Sequence, residues 1–313
     1  MRVVFMGTPD FAVGTLQALL DSEHEVVAVV TQPDKPKGRG KSMQFTPVKE
    51  LSVASNIPVY QPKRVREDMF FETLKDLTPD VIVVVAFGQI IPERILELPR
   101  YGCVNVHASL LPKYRGAAPI QWAVIDGERV SGVTTMQMDA GLDTGDMLLT
   151  EEVVLAEDET GGSLFDKLSC VGAQLLIRTL KELEKGTVTP RKQPKDSPTP
   201  YAAMLDKTMG RIDWNQPAEK IERLVRGLNP WPSAYTKLGE KTLKIWRASV
   251  EKSVQRGQEQ PGTVVWNDGK TLGVQTGDGV LIIEELQLEG KKRMAADAFL
   301  RGYSVEKGVI LCC

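Results

Sequence analysis

The run Val81 to Ala86 (VIVVVA) is apolar on both faces of any strand it forms. Half-exposed strands alternate apolar and polar residues, so a run like this belongs at the centre of a parallel sheet covered by helices on both sides. The surrounding sequence agrees. Arg2 to Met6, Glu25 to Thr31 (EVVAVVT) and Cys103 to Val106 read as further strands. Between them lie helical stripes. Phe11, Leu16, Leu19 and Leu20 share one face from about Asp10 onward. Thr46-Pro47 offers an N-cap and an N1 proline to a helix carrying Val48, Leu51 and Ala54. A helix around Ala117 to Ile125 follows, and one from Ser163 to about Lys185 closes the domain. This alternation predicts a Rossmann-like, doubly wound α/β parallel sheet, a fold that places ligands at the carboxyl ends of its strands.

Beyond that helix the pattern changes. Pro190, Pro194, Pro198 and Pro200 crowd one stretch. Proline lacks an amide donor and restricts its neighbours, so residues 189–206 read as an extended linker between domains at 1–188 and 207–313. After a helix at about Ala218 to Gly227, short strands are expected at Ala234–Leu238, Thr242–Val250, Gly262–Trp266, Thr271–Thr276 and Val280–Leu286. Turns at Asn267-Asp268-Gly269 and Gly277-Asp278-Gly279 separate the later ones. Such a succession predicts a small OB-like β-barrel. Trp214, Trp231, Trp246 and Trp266 are read as its core rather than as stacking platforms for bases.

The bulk properties set limits. A chain of 313 residues suits two domains. Met1 to Gly7 enters a strand without a basic leader, and no apolar run reaches the roughly 20 residues that cross a bilayer, so a cytoplasmic protein without a membrane partner is expected. Cys103, Cys170, Cys312 and Cys313 show no C-x-x-C spacing, and two histidines do not suggest a His-rich zinc site, so no metal is expected. The net charge of −2 disfavours a general nucleic-acid coat protein. Its distribution is uneven: residues 207–313 hold 17 Lys+Arg against 13 Asp+Glu, and the remainder 22 against 28. That permits an anionic partner at the C-terminal part. Nothing demands more than a monomer.

Two stretches carry candidate chemistry. No G-x-G-x-x-G or P-loop follows the first strand, which disfavours a nicotinamide enzyme or an NTPase. The first stretch, Val104 to Gly116 (VNVHASLLPKYRG), leaves a strand with Asn105 and His107 on the same side. Taken alone, Asn-x-His is more often a loop-anchoring amide beside a satisfied, half-buried imidazole. The second stretch is Asp139 to Asp146 (DAGLDTGD), where glycines 141 and 145 are expected to let a loop turn tightly and hold Asp143 in place. A calcium loop fails here. With Asp139 as its first position, Gly141 falls on a ligand position, Thr144 on the required glycine and Thr150 on the bidentate Glu. Together the stretches offer an amide donor, an imidazole and a carboxylate, and no Ser or Cys nucleophile. That set suits a reaction whose nucleophile is a substrate amine, such as amine attack on a formyl group. An α-amino group, with a pKa of about 7.7–8.0, is partly neutral at cytosolic pH. Asn105 and a protonated His107 would donate to the oxyanion, and Asp143 would relay the proton directly or through water.

Asn105, His107 and Asp143, set in SLLPKYRG and DAGLDTGD, resemble the catalytic core of the 10-formyltetrahydrofolate-dependent formyltransferases. The opening MGTPDFA, the loop TQPDKPKGRGK and the late NPWPSAY most resemble the members that act on initiator methionyl-tRNA. The resemblance covers essentially the whole chain. It implies 10-formyltetrahydrofolate as donor, the methionine amine of charged initiator tRNA as acceptor, and no metal. It also implies that Ser109, Leu110, Leu111 and Pro112 line the folate site, with Phe87, Gly88, Gln89 and Ile90 helping to hold the pterin. Lys35, Lys37, Arg39 and Lys41 would sit on a loop that enters the tRNA acceptor stem. Four cations beside one anion, Asp34, suit phosphates. Lys291, Lys292 and Arg293, a consecutive basic triplet in the barrel, are further candidates for tRNA contact. The rival readings are a sugar-nucleotide formyltransferase and a non-catalytic protein that binds charged tRNA.

Overall fold

In the computed structural model, residues 1–37, 42–251 and 259–312 are described. The chain divides into two compact units. The first comprises Met1–Pro119, Val130–Val154 and Phe165–Ala202, and the second Ile120–Arg129, Leu155–Leu164 and Ala203–Cys313.

The first unit is built on a seven-stranded sheet. Its strands are β1 (Arg2–Gly7), β2 (Glu25–Val30), β5 (Val59–Tyr60), β6 (Val81–Val85), β7 (Cys103–His107), β8 (Val130–Gln137) and β9 (Met147–Val154), in the order β5-β2-β1-β6-β7-β8-β9. A separate two-stranded ribbon pairs β3 (Lys35–Lys37) with β4 (Ser42–Gln44). The VIVVV strand is central and every residue in it is buried. From β5 to β7 all pairings are parallel. The expected parallel sheet is completed by two antiparallel strands, β8 and β9, which make it mixed at that edge. Their sequences, VSGVTTMQ and MLLTEEVV, mix Ser, Thr and Glu with apolar residues. That composition is that of strands with one covered face, not of a doubly buried run.

Helices cover both faces of this sheet. Phe70 and Leu74 of α3 (Asp68–Asp76) join Val4, Met6, Ile82 and Val84 in one apolar cluster. On the other face α6 (Gly161–Lys185) brings Gly172 so close to Val106 that a side chain there would press on it, with Val133 in ordinary contact. Helix α2 (Pro47–Ala54) starts as its sequence predicts, with Thr46 Oγ1 accepting the Lys49 N–H at 3.2 Å and proline at its first turn. The helix expected from Ala117 begins instead as α5 (Pro119–Ile125), which from Ile120 onward belongs to the second unit. The amides of Ala117 and Ala118 are both taken by the Ala202 carbonyl, at 2.8 and 3.1 Å, which defers the helix by two residues. Elements α1 (Asp10–Leu20) and α4 (Glu93–Leu96) complete this part of the chain.

The proline-rich stretch is not a free linker throughout. Its residues as far as Ala202 belong to the first unit and are hydrogen-bonded to it by Arg191, Gln193, Ser197, Thr199 and Ala202.

In the second unit an antiparallel sheet runs β10 (Ala234–Leu238), β11 (Lys241–Glu251), β14 (Val280–Leu288), β13 (Leu272–Gln275), β12 (Val264–Asn267), with β15 (Met294–Ala295) added to β14. Residues 308–312 then bond to both outer strands. Lys237 and Cys312 exchange backbone hydrogen bonds, and Val264 and Gly262 pair with Val309 and Leu311. That segment links the two edges and removes the unpaired edges an open sheet would expose. Helices α7 (Ala218–Gly227) and α8 (Ala296–Leu300) cover the apolar core, in which Ile221, Val225, Ile245, Leu286 and Phe299 pack together.

The four tryptophans expected in the barrel core do not share one fate. Trp214 is core, its Nε1 donating to Thr236 Oγ1 at 3.1 Å. Trp266 and Trp246 are half-buried, and Trp231 is 53% exposed, contrary to the core placement expected for it. Trp231 stands between Pro230 and Pro232, both preceded by cis peptide bonds.

Candidate active site

The carboxyl ends of β6 and β7 lie side by side, and β7 delivers Asn105 and His107 there on one face. Their partner strand β8 sets Met136 opposite Asn105 and Thr134 opposite His107. His107 is buried, and its Nε2 lies 3.0 Å from the Tyr114 carbonyl oxygen. A carbonyl only accepts, so Nε2 carries the hydrogen and Nδ1 is the nitrogen turned toward Asp143. Nδ1 stands 3.7 Å from Asp143 Oδ1. That is beyond a hydrogen bond but close enough for a bound substrate or one water to complete a relay. The other carboxylate oxygen of Asp143, Oδ2, accepts the Gly116 amide at 2.9 Å. Asn105 is half-buried, and among the described residues no protein group hydrogen-bonds its side-chain amide. Asn105 and His107 of one strand and Asp143 of a later loop are thus brought to one place, with an uncommitted donor beside a facing imidazole and carboxylate.

The loop after β7 is fixed by residues of two other segments. Thr134 Oγ1 donates to the Ser109 carbonyl at 2.7 Å and accepts the Leu111 amide at 3.0 Å. The Leu111-Pro112 peptide is cis. From the proline-rich stretch, Ser197 Oγ donates to the Pro112 carbonyl at 2.8 Å, and Thr199 Oγ1 accepts the Tyr114 amide at 2.7 Å. Gly116, at φ +129°, lies under the Ala202 carbonyl, where a Cβ would collide with it.

The DAGLDTGD loop turns differently from the sequence expectation. Asp143 itself takes the left-handed conformation, φ +53°, which Asp tolerates better than most residues. Gly145 is needed for space, because a Cβ there would overlap the Gln137 carbonyl. Gln193 secures this loop from outside, its Nε2 donating to the Asp143 carbonyl at 2.9 Å and to that of Gly145 at 2.7 Å. Sequence reasoning missed Thr134, Gln193, Ser197 and Thr199. Each is an ordinary polar residue whose partner is remote in the chain, so no local pattern marks it.

The expected folate residues divide. Ser109 is fully buried with its hydroxyl spent on the Lys113 carbonyl, and Leu111 is also buried, so their side chains serve the loop itself. Leu110 and Pro112 are partly accessible. Phe87 belongs to the apolar core, and its carbonyl accepts from Thr8 and Gln32. Gln89 turns its amide to Val65 and Lys63. What remains available after β6 is the backbone around Gly88, at φ +84°, and the Ile90 side chain, 75% exposed.

The expected basic contacts divide as well. Lys35 is exposed on β3, and β3 also includes Lys37. Arg39 and Lys41 lie outside the described residues. At the base of this ribbon, Asp34 accepts Lys49 Nζ at 2.5 Å, and the hydroxyls of Thr31 and Thr46 meet at 2.8 Å. The Lys49 hydrogen bond, helped by that of Gln61, holds the Asp34 carboxyl below the ordinary carboxylate range. In the second unit Lys291 and Lys292 are exposed, but Arg293 is committed. It forms a two-point pair with Glu285, at 2.7 and 2.6 Å, and lies 4.8 Å from the Trp246 ring centroid. Its charge is therefore largely answered within the protein.

Comparison with known proteins agrees with this arrangement. Residues 1–180 match the family described as Formyl transferase, and residues 204–304 match Formyl transferase, C-terminal domain. A methionyl-tRNA formyltransferase of Lachnospira eligens is 59% identical over 99% of this chain and 99% of its own. Among solved structures, an N-formyltransferase from Helicobacter canadensis, in complex with folinic acid and dTDP-3-aminofucose, superposes with a TM-score of 0.68 at 18% identity, covering 94% of this chain and all of that one. A methionyl-tRNA formyltransferase from Clostridium thermocellum gives 0.54 at 20% identity, over 81% of this chain and 95% of that one. Those two likenesses speak for the fold alone, whereas the matches in sequence span both halves of the chain. By that measure the chain belongs to the formyl transferase family.

Proposed function

We propose that this protein transfers the formyl group of 10-formyltetrahydrofolate to the methionine amine of charged initiator tRNA. The observation that carries the proposal is the cluster of Asn105, His107 and Asp143 at the carboxyl end of β7, in a chain 59% identical to a methionyl-tRNA formyltransferase. The amine nitrogen attacks the formyl carbon. A C–N bond forms, the bond to N10 of the folate breaks, and one proton passes from the amine to N10. The uncommitted Asn105 amide donates to the developing oxyanion. His107 was expected to share that task, but its Nε2 hydrogen is directed to Tyr114. Its Nδ1, facing Asp143, instead suits the proton transfer.

Leu110, Pro112, Ile90 and the backbone at Gly88 form the folate side of the site in this reading. The basic residues Lys35, Lys37, Arg39 and Lys41 take the acceptor stem, and Lys291 and Lys292 add phosphate contacts. The charge of these residues, and the exposure of Lys35, Lys291 and Lys292, support these assignments.

The direct test is formyl transfer from 10-formyltetrahydrofolate to methionine-charged initiator tRNA, with uncharged tRNA as control. Product on the charged tRNA alone is expected. Formate release, or acceptance of a sugar amine in place of the tRNA, would move the chain to another branch of the family. Binding of charged tRNA without any transfer would make it a carrier.

A further inference from the structure

Arg115 is a buried guanidinium, 8% exposed, whose hydrogen-bond partners among the described residues include no carboxylate. Its Nε and one terminal nitrogen converge on Gln193 Oε1, at 3.0 and 2.9 Å, and the remaining bonds reach the Pro194 and Lys195 carbonyls. Burying a cation among neutral acceptors is costly unless its geometry is used. Here the two-point bond has a definite consequence. An amide side chain has one oxygen and one nitrogen end, and the guanidinium only donates. Arg115 therefore dictates which end of Gln193 it meets, and the nitrogen is turned to the Asp143 and Gly145 carbonyls. The neighbouring residue acts on the same loop, since the Gly116 amide holds Asp143 Oδ2. One dipeptide, Arg115-Gly116, thus reaches Asp143 twice: through the backbone at its carboxylate, and through Gln193 at its main chain.

We propose that Gln193, oriented by Arg115, is a positioning residue that holds Asp143 in its left-handed conformation facing His107. The role rests on the reading above, in which the facing pair of His107 and Asp143 serves the proton transfer. Gln193 touches neither substrate nor reacting atoms. Its effect on rate arises because a misplacement of about 1 Å in a reacting group costs on the order of 100-fold.

The informative variant is Gln193→Glu. The carboxylate keeps the pairing with Arg115 but offers no hydrogen to the two loop carbonyls and repels them. Steady-state formyl transfer should show kcat reduced about 100-fold, with KM for donor and acceptor changed less than about threefold. In an Asp143→Ala background the same change should have almost no further effect, because the group it positions is gone. Arg115→Lys keeps the charge and loses the fork, and should show the same split of kcat from KM. It also serves if Gln193→Glu does not fold. Undiminished kcat in either folded variant, or an equal fold-loss with and without Asp143, overturns the positioning role. Undiminished kcat in Asp143→Ala alone would instead remove the function assigned to Asp143.

Discussion

His107 Nδ1 and Asp143 Oδ1 stand 3.7 Å apart, and each is held from its far side by a backbone group: the Tyr114 carbonyl for the imidazole, the Gly116 amide for the carboxylate. The pair is therefore aimed by the SLLPKYRG loop rather than by mutual contact. Beside it, Asn105 keeps its amide uncommitted. Asn105→Ala should lower kcat for formyl transfer by about 100- to 1,000-fold. His107→Ala should abolish most of the transfer while charged tRNA still binds. Single-turnover kinetics with a parallel tRNA-binding titration would check both, and full activity in His107→Ala would refute the mechanism.

The basic cluster of Lys35, Lys37, Arg39 and Lys41 should act on one substrate only. Arg39→Ala is expected to weaken use of tRNA far more than binding of the folate. It should also reduce the slope of log affinity against log salt by about 1, if the arginine meets a phosphate. Equal losses toward tRNA and folate would mean that the loop shapes the folate site.

Thr134 is fully buried and serves two backbone groups of the loop above it. Thr134→Val matches its shape but leaves the Ser109 carbonyl and Leu111 amide without that partner. Unfolding stability should fall by about 1–3 kcal/mol. Chemical denaturation of both proteins measures it, and an unchanged midpoint would show that the loop finds other partners.

The Asp34–Lys49 pair at the base of the ribbon sets a pH dependence. Hydrogen bonding to Lys49 depresses the folded-state pKa of Asp34 below its unfolded value of about 3.9. The stabilisation is therefore complete above that value and disappears as pH falls through the lower, folded one. Asp34→Asn should lower Tm at pH 7, and the difference from the parent should close in strong acid. A Tm gap that widened on acidification would contradict this sign.

Burial pushes the Cys103 thiol up to about 12, whereas Cys170 and Cys312 are exposed. Iodoacetamide at pH 8 should label Cys170 and Cys312 and spare Cys103 until the protein unfolds, because only the thiolate reacts. Peptide mapping would read this directly, and early labelling of Cys103 would indicate local opening of β7.

Much of this protein was legible in its sequence, for local reasons. Apolar continuity marked β6, since a strand buried on both faces has to be apolar throughout, and apolar runs marked most of β1, β2 and β7. Thr46-Pro47 marked the start of α2 because capping is satisfied within one turn. Asn105, His107 and Asp143 were legible as chemistry-bearing residues by type and setting, and strand period put Asn105 and His107 on one side, although no local pattern fixed the approach of Asp143.

What only tertiary structure decided lies in partners remote along the chain. The proline-rich stretch read as a linker because prolines disfavour regular structure. Nothing local revealed that its Gln193, Ser197 and Thr199 would clamp two loops of the site. Ser109, Phe87 and Gln89 stand where a ligand was expected, yet their polar groups or rings are consumed by the fold. Arg293 looked like a free cation until Glu285 was brought against it by an adjacent strand. Residue type and local spacing determined which groups the chain possesses. Their availability was decided by folding, because a hydrogen bond or ion pair made across the fold leaves no trace in the sequence around either partner.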